Sequence, residues 1–275
     1  MKRLLAILIL AVLSGCSAGP YIDRTFTAVS QDSRAEFLIL HYTVLDFPTS
    51  LKVLTEQRVS SHYLVRDNPP TIYQLVDENR RAHHAGVGSW KGQTPINAAS
   101  IGVEIVNLGY QDTPAGRIWF DYPPAQIDAV VALVKKIVKE HDIKPERVLG
   151  HSDIAPQRKQ DPGPRFPWKR FADEGLIRWP DALLVAQNKA LYEQQLPHID
   201  WFQQKLAKFG YAVPLNAELD EATVNVIAAF QMKYRPSLFD GMPDAETAAM
   251  VDALTAPPVN ATRTAPRAEQ RGINE

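Results

Sequence analysis

The sequence predicts an α/β domain, a mixed central sheet flanked by helices, followed by a second, small all-α domain of three helices. Three observations carry that expectation. Short apolar, β-branched runs such as "EFLILHYT" (Glu36 to Thr43) and "SIGVEIVN" (Ser100 to Asn107) have strand length and alternate with stretches of helical period. Pro123 to Ile143 reads as one amphipathic helix, in which Ile127, Val130, Val131, Val134, Ile137 and Val138 form an apolar stripe behind the prolines at its start. Beyond Trp179-Pro180 only helical periodicity remains.

The elements follow in order from the N-terminus. Met1-Lys2-Arg3 gives a positive start, and Leu4 to Leu13 is an apolar run too short to cross a bilayer comfortably, the pattern of an export signal. It ends in Leu13-Ser14-Gly15-Cys16, which resembles the bacterial lipobox. That resemblance implies cleavage before Cys16, lipidation of its thiol and, with Ser17 rather than an aspartate next to it, an outer-membrane lipid anchor facing the periplasm. Cys16 is the single cysteine, so the mature chain has no disulfide and no thiolate metal ligand. Any metal must therefore be held by His, Asp or Glu. Residues 1–16 are read as the signal ending at the lipidated cysteine, 17–33 as a tether, 34–179 as the α/β domain, 180–255 as the helical domain and 256–275 as a disordered, Pro-, Ala- and Arg-rich tail.

Within the α/β domain a helix is expected over Ser50 to Val59. "SSHYLV" and "TIYQLV" flank Asp67-Asn68-Pro69-Pro70 and read as a hairpin. The polar stretch that holds His83, His84, Trp90 and Asn97 is a loop. "RVLGH" is a short strand delivering His151. The segment after it, "GHSDIAPQRKQDPGPRFPW", is too rich in Gly and Pro for a helix or a long strand and reads as a stiff irregular loop. "IDWFQQKLAKFGY", "DEATVNVIAAFQMKY" and "DAETAAMVDAL" supply the three C-terminal helices, with Trp201, Phe202, Phe230 and Tyr234 at core spacing.

Composition excludes one class of partner. Thirty basic residues nearly cancel thirty-one acidic ones, and no aromatic-basic motif occurs, so the chain is not a nucleic-acid binder. Of the seven histidines, His141 sits in the last turn of the long helix, His198 precedes a helix, and His62 alternates with apolar residues as a packed ring does. His41 and His151 differ, because each ends an apolar strand where the chain enters a loop, the usual place for a site in an open α/β sheet. With Asp161 they form a two-imidazole, one-carboxylate set that leaves one position of a catalytic zinc open. The spacing from His151 to Asp161 matches no short helical motif, so the residues alone leave this set undecided.

Alternation in Ser100 to Asn107 places Gly102 and Glu104 on one face, with room for a substrate beside the glycine. Two readings fit Glu104: an edge-strand carboxylate in solvent, or a general base. Lys159 likewise reads as a solvated charge paired with Asp161 or Asp153, or as a site cation.

At "HYT", "SSHYLV", "IYQLVDENRRAHHAG", "SIGVEIVN" and "GHSDIAPQRKQDPG" the chain resembles the zinc-dependent N-acetylmuramoyl-L-alanine amidases of the peptidoglycan-recognition-protein fold. The resemblance implies one zinc per chain on His41, His151 and Asp161, where many relatives carry cysteine at the third position. It also implies Glu104 as the base that activates water and Lys159 as the cation that stabilises the oxyanion. The implied substrate is the lactyl–alanine amide of peptidoglycan and muropeptides, intact or 1,6-anhydro, with His83, His84, Trp90 and Asn97 lining the groove. The C-terminal segment resembles the three-helix peptidoglycan-binding module, with a purely stabilising helical cap as the alternative. The protein is expected to act as a monomer. Two other classes stay open at this point: a recognition protein that binds cell wall without cutting it, and a structural tether between membrane and wall.

Overall fold

The computed structural model describes residues 19–257, which fall into two units divided after Asp32. Cys16, the signal and most of the expected tail lie outside the described residues. Residues 19–32 carry no helix or strand.

From Ser33 onward the chain builds a five-stranded mixed sheet in the order β3-β2-β4-β1-β7, comprising β1 (Phe37–Tyr42), β2 (Tyr63–Val65), β3 (Ile72–Gln74), β4 (Ser100–Ile105) and β7 (Val148–Gly150). Strands β2, β4, β1 and β7 run parallel, and β3 pairs antiparallel with β2 as the expected hairpin, Val65 opposite Ile72. A separate hairpin, β5 (Tyr110–Thr113) with β6 (Gly116–Trp119), was not foreseen from the sequence. Its residues are mostly exposed, so no alternating apolar face marks them.

Each face of the sheet has its own core. On one face Leu38, Leu40, Ile101, Val103 and Ile105 pack against the long helix α2 (Pro124–His141), whose Val130, Val134 and Ile137 are fully buried. Burying each such side chain contributes roughly 1.5–3 kcal/mol. This helix matches the predicted stripe. It ends where Asp142 adopts a left-handed conformation.

The other face is divided. Toward the edge strands, α1 (Phe47–Glu56) sets Leu54 on Leu64 and Val106. This helix begins and ends earlier than expected, because the Asp46 side chain accepts from Thr49 N–H and Pro48 lies in the first turn. Val59 falls outside it and is exposed. Toward the N-terminal ends of β1 and β7, Phe37, Ile39 and Leu149 are covered by the helical region.

That region holds four helices rather than three: α5 (Ala182–Gln194), α6 (Ile199–Phe209), α7 (Glu221–Tyr234) and α8 (Ala245–Thr255). Helix α5 escaped the sequence reading because none of its residues is buried and its apolar residues follow no one-sided stripe. Phe202, Phe230 and Tyr234 are buried and Trp201 partly so, which is the core role their spacing indicated. Two further helices among the described residues, α3 (His151–Ile154) and α4 (Trp168–Asp173), belong to the α/β half.

The seam between the halves is tightly filled. Trp90 is 1 % exposed and meets Phe209 and Tyr211 edge-on at 5.6 and 5.0 Å. A Cβ on Gly210 would come within 2.5 Å of the Trp90 ring. Trp90→Ala is therefore expected to cost about 3–5 kcal/mol and to lower the denaturation midpoint of both halves together. Tryptophan fluorescence and far-UV circular dichroism, followed through a urea titration, check this by showing one shifted transition.

Candidate metal and catalytic site

The register of the parallel strands places the candidate residues side by side. Glu104 of β4 pairs with His41 of β1, and Leu40 pairs with Gly150 of β7, so His151 is the next residue along beside His41. Three strands thus contribute three adjacent positions at their C-terminal ends, as open parallel sheets do. The expectation that His151 leads into an irregular loop needs correcting. His151 opens α3, a single helical turn made possible because Asp153 Oδ2 accepts from Gly150 N–H at 2.8 Å. The chain then returns so that the Asp161 carbonyl accepts from Ser152 N–H, which brings the Asp161 side chain back over the turn.

Three ligand atoms converge there. His41 Nδ1 lies 2.9 Å from His151 Nδ1 and 3.0 Å from Asp161 Oδ2, and His151 Nδ1 lies 3.1 Å from the same oxygen. All three residues are buried, and this trio offers converging ligand atoms for a metal ion. The residues fit a divalent cation by their donors and by the partners that orient them. His151 Nε2 sits 2.9 Å from the Ala85 carbonyl oxygen, an acceptor, so the ring proton is on Nε2 and Nδ1 keeps its lone pair. His41 Nε2 faces His84 Nδ1 at 3.0 Å, and His84 Nε2 faces Ser100 Oγ at 3.1 Å. That chain of partners lets His41 also turn a bare Nδ1 inward.

Charge is tuned the same way. Burial, with the neighbouring His151 charge, lowers His41 to about 4 against the pull of Asp161, so it is neutral at neutral pH. Burial alone raises the Asp161 carboxyl, but the charge and hydrogen bond of His151, then those of His41, hold it below the usual carboxylate range. Glu104 is pushed the other way. Burial first and the Asp161 charge second raise it well above its ordinary value, with Lys159 opposing. Its Oε2 is closed off from solvent and has no hydrogen-bond partner. The edge-strand reading of Glu104 therefore fails: β4 is an interior strand and its carboxyl lines a pocket.

The pocket has a volume of about 220 Å³. His41, Glu104, His151, Lys159 and Asp161 line it together with the aliphatic side chains of Val44, Leu45, Val53, Leu54 and Val59. Lys159 stands beside the site without pairing with either carboxylate considered for it. Asp161 is engaged by His41 and His151, and Asp153 by Lys233.

The four loop residues expected to line the groove divide. His83 and His84 line the pocket. The space beside Gly102, expected to admit substrate, is instead filled by His84, whose ring lies 2.4 Å from where a Cβ would stand. Trp90 is withdrawn into the seam with the helical region, because its large ring is the filler there. Asn97 sits beneath the loop, its side-chain oxygen accepting from His84 and Ala85 N–H at 3.1 and 2.8 Å. The sequence reading missed Ser100, which supports His84, and Arg158, whose guanidinium donates to the Ala85 and Val87 carbonyls. A serine opening a strand and an arginine in a charged loop carry no signal of such roles. His62 is packed as expected, its Nδ1 accepting from Gly102 N–H, and His141 pairs with Glu78 at 2.8 Å.

Comparison with known proteins settles the family. Residues 31–164 match the N-acetylmuramoyl-L-alanine amidase model Amidase_2, and residues 195–251 match a peptidoglycan binding domain model. The N-acetylmuramoyl-L-alanine amidase AmiD of Escherichia coli (strain K12) is 41 % identical over 259 residues, 88 % of this chain and 93 % of that protein. The chain belongs to the N-acetylmuramoyl-L-alanine amidase family. A solved structure of E. coli AmiD, in complex with anhydro-N-acetylmuramic acid-L-Ala-D-gamma-Glu-L-Lys, superposes with a TM-score of 0.77 at 42 % identity, covering 85 % of this chain and 93 % of that one. AmpDh3 from Pseudomonas aeruginosa, solved with anhydromuramic pentapeptide, gives 0.78 at 38 % identity, covering 85 % and 96 %. The amidase is thus similar to both over the catalytic and the helical halves.

The tuned histidines set an acid limit. Burial lowers His41, His62 and His84, so below about pH 6.5 the unfolded chain takes up protons that the fold refuses. Glu104, raised in the fold, works in the opposite sense, its contribution growing as pH falls. Chelator-treated protein is expected to lose thermal stability steadily as pH falls from about 6.5 to about 4. Glu104→Gln should steepen that loss, and melting curves across the range check both.

Proposed function

We propose that this amidase is zinc-dependent and hydrolyses the amide between the lactyl group of N-acetylmuramic acid and L-alanine of the stem peptide, in intact and 1,6-anhydro muropeptides, during cell-wall degradation and turnover. The observation that carries the proposal is the convergence of His41, His151 and Asp161 beside a partnerless, proton-seeking Glu104 in one pocket. The AmiD and AmpDh3 complexes support the substrate class, since both hold anhydromuramyl peptides.

His41, His151 and Asp161 would hold the zinc, one per chain. Bound there, zinc supplies a Lewis acid that polarises a carbonyl and acidifies water at neutral pH. Glu104 takes the proton of the attacking water, which its raised affinity for protons favours. It then returns that proton to the departing amine of L-alanine, so one carboxyl serves as base and acid in turn. Lys159 presents its ammonium to the oxygen of the tetrahedral intermediate. Val44, Leu45, Val53 and Val59 add apolar lining to the same pocket. The helical region adds contact with peptidoglycan, in keeping with the domain model it matches. One chain supplies every residue of this site, which is compatible with an enzyme that acts as a monomer.

The lipobox-like Leu13-Ser14-Gly15-Cys16 supports a place for the enzyme on the outer membrane, facing the periplasm, with Cys16 carrying the lipid, palmitate included. Periplasmic fractionation tests this directly. Cys16→Ser is expected to abolish palmitate labelling and to move the protein out of the membrane fraction, and an unchanged distribution refutes the anchor.

The catalytic proposal is tested on chain lacking residues 1–16. The wild type is expected to contain one zinc and to release stem peptide from muropeptides. Glu104→Ala should keep the metal while kcat falls by about 10²–10⁴, and His151→Ala should lose metal and activity together. Metal analysis alongside chromatographic assay of the released peptide decides, and a zinc-free wild type that cleaves nothing sinks the reading.

A further inference from the structure

Directly behind the metal ligands lies a buried polar cluster that the reaction does not use. Asp153, 1 % exposed, is the third residue of α3, two positions after His151. Its Oδ2 accepts from Gly150 N–H at 2.8 Å and from Lys233 Nζ at 2.7 Å, and its Oδ1 accepts from Tyr211 O–H at 2.6 Å. Lys233, 4 % exposed, comes from α7, and Tyr211 from the chain just after α6. Both belong to the helical half. Lys233 also lies 4.3 Å above the Trp168 ring and reaches the Val148 carbonyl at 3.3 Å.

A carboxylate taken out of water in this way is tolerable only while its partners remain, and removing one leaves an uncompensated buried charge. The partners of Asp153 are shared between the backbone that delivers His151 and side chains from the helical half. Other contacts across the seam reach neighbouring parts of the site. Asn225 of α7 donates to Gln157, two residues before Lys159, at 3.0 Å, and the Gly210 carbonyl accepts from Lys91 N–H at 2.8 Å.

We propose that Lys233 and Tyr211 are positioning residues for the metal site: through Asp153 they hold the α3 turn, and with it His151 Nδ1, in place against His41 and Asp161. This rests on the zinc amidase reading above. The helical half is then a structural part of the active site, whatever else it contacts.

The test uses the mature-length chain with Lys233→Met, Tyr211→Phe, the double variant Lys233→Met with Asp153→Asn, and the control Val251→Ala, which opens space in the core of the helical half away from Asp153. Zinc affinity by chelator competition, kcat and KM on a muropeptide, and Tm are measured for each. Lys233→Met is expected to weaken zinc binding about 10–100-fold, the range for losing a residue that orients a ligand, and to lower kcat while KM stays near wild type. Adding Asp153→Asn should restore most of the affinity, because the stranded charge is gone and an amide oxygen still accepts from Gly150 N–H. Val251→Ala should lower Tm while zinc affinity and kcat hold. If Lys233→Met fails to fold, Tyr211→Phe, which removes a single hydroxyl, decides on the same readouts.

Wild-type zinc affinity in the variants that fold overturns the proposal, as does a zinc loss that merely tracks Tm across all variants, the control included. A wild type that binds no zinc and cleaves nothing overturns the amidase reading and this inference with it, so the two failures are distinguishable.

Discussion

Three atoms that each carry a lone pair or a negative charge, His41 Nδ1, His151 Nδ1 and Asp161 Oδ2, are held within 3.1 Å of one another in a buried corner of the sheet. Such atoms repel unless a positive charge, proton or metal cation, sits among them. Much of the surrounding structure follows from keeping them together. Parallel register sets His41 beside Glu104 and next to the end of β7. Gly102 lacks a side chain because the His84 ring needs its place, and His84 is needed there because it partners His41 Nε2. Ala85 contributes a carbonyl to His151 Nε2, and Asn97 and Arg158 hold the loop that presents it.

How much of this the sequence discloses depends on the range of the interaction. The strand containing His41, the alternation that puts Gly102 and Glu104 on one face and the stripe of α2 are local patterns of period 2 or 3.6, and they were legible. The start of α1 was misplaced although its signal, Asp46 followed by Pro48, is also local, because the apolar stripe that guided the reading begins later. Hairpin β5–β6 and helix α5 bury too little apolar surface to leave a pattern. The partners of His84 and Asp153 were invisible for a different reason. Ser100 and His84 are 16 residues apart, and Asp153 and Lys233 are 80 apart, so only the folded topology brings them together. Trp90 shows the same limit: its loop pointed to substrate, but packing across the seam claimed its ring.

The family resemblance pointed to His41, His151 and Asp161 where spacing alone did not, and the fold brings the three together. His151 and Asp161 belong to a one-turn helix and a returning loop rather than to one helix face, so no fixed sequence interval could have encoded their convergence. What the resemblance did not convey is why aspartate serves at the third position. Here the answer is the hydrogen bonding and charge of both histidines, which outweigh burial and keep Asp161 ionised. A carboxylate supplies the negative charge that the chain, with its one cysteine in the lipobox-like segment, has no second thiol to provide.

The site pushes its two carboxyls in opposite directions, Asp161 down and Glu104 up. Asp161 and Glu104 share a low-dielectric corner in which their mutual repulsion is strong. Asp161 has two imidazole partners and stays charged. Glu104, its Oε2 unpartnered, is raised first by burial and then by the Asp161 charge. In the proposed reaction a carboxyl so placed takes a proton from water and gives it back to an amine. Lys159 opposes the rise, and in the proposed reaction the same charge, lining the pocket, meets the developing oxyanion.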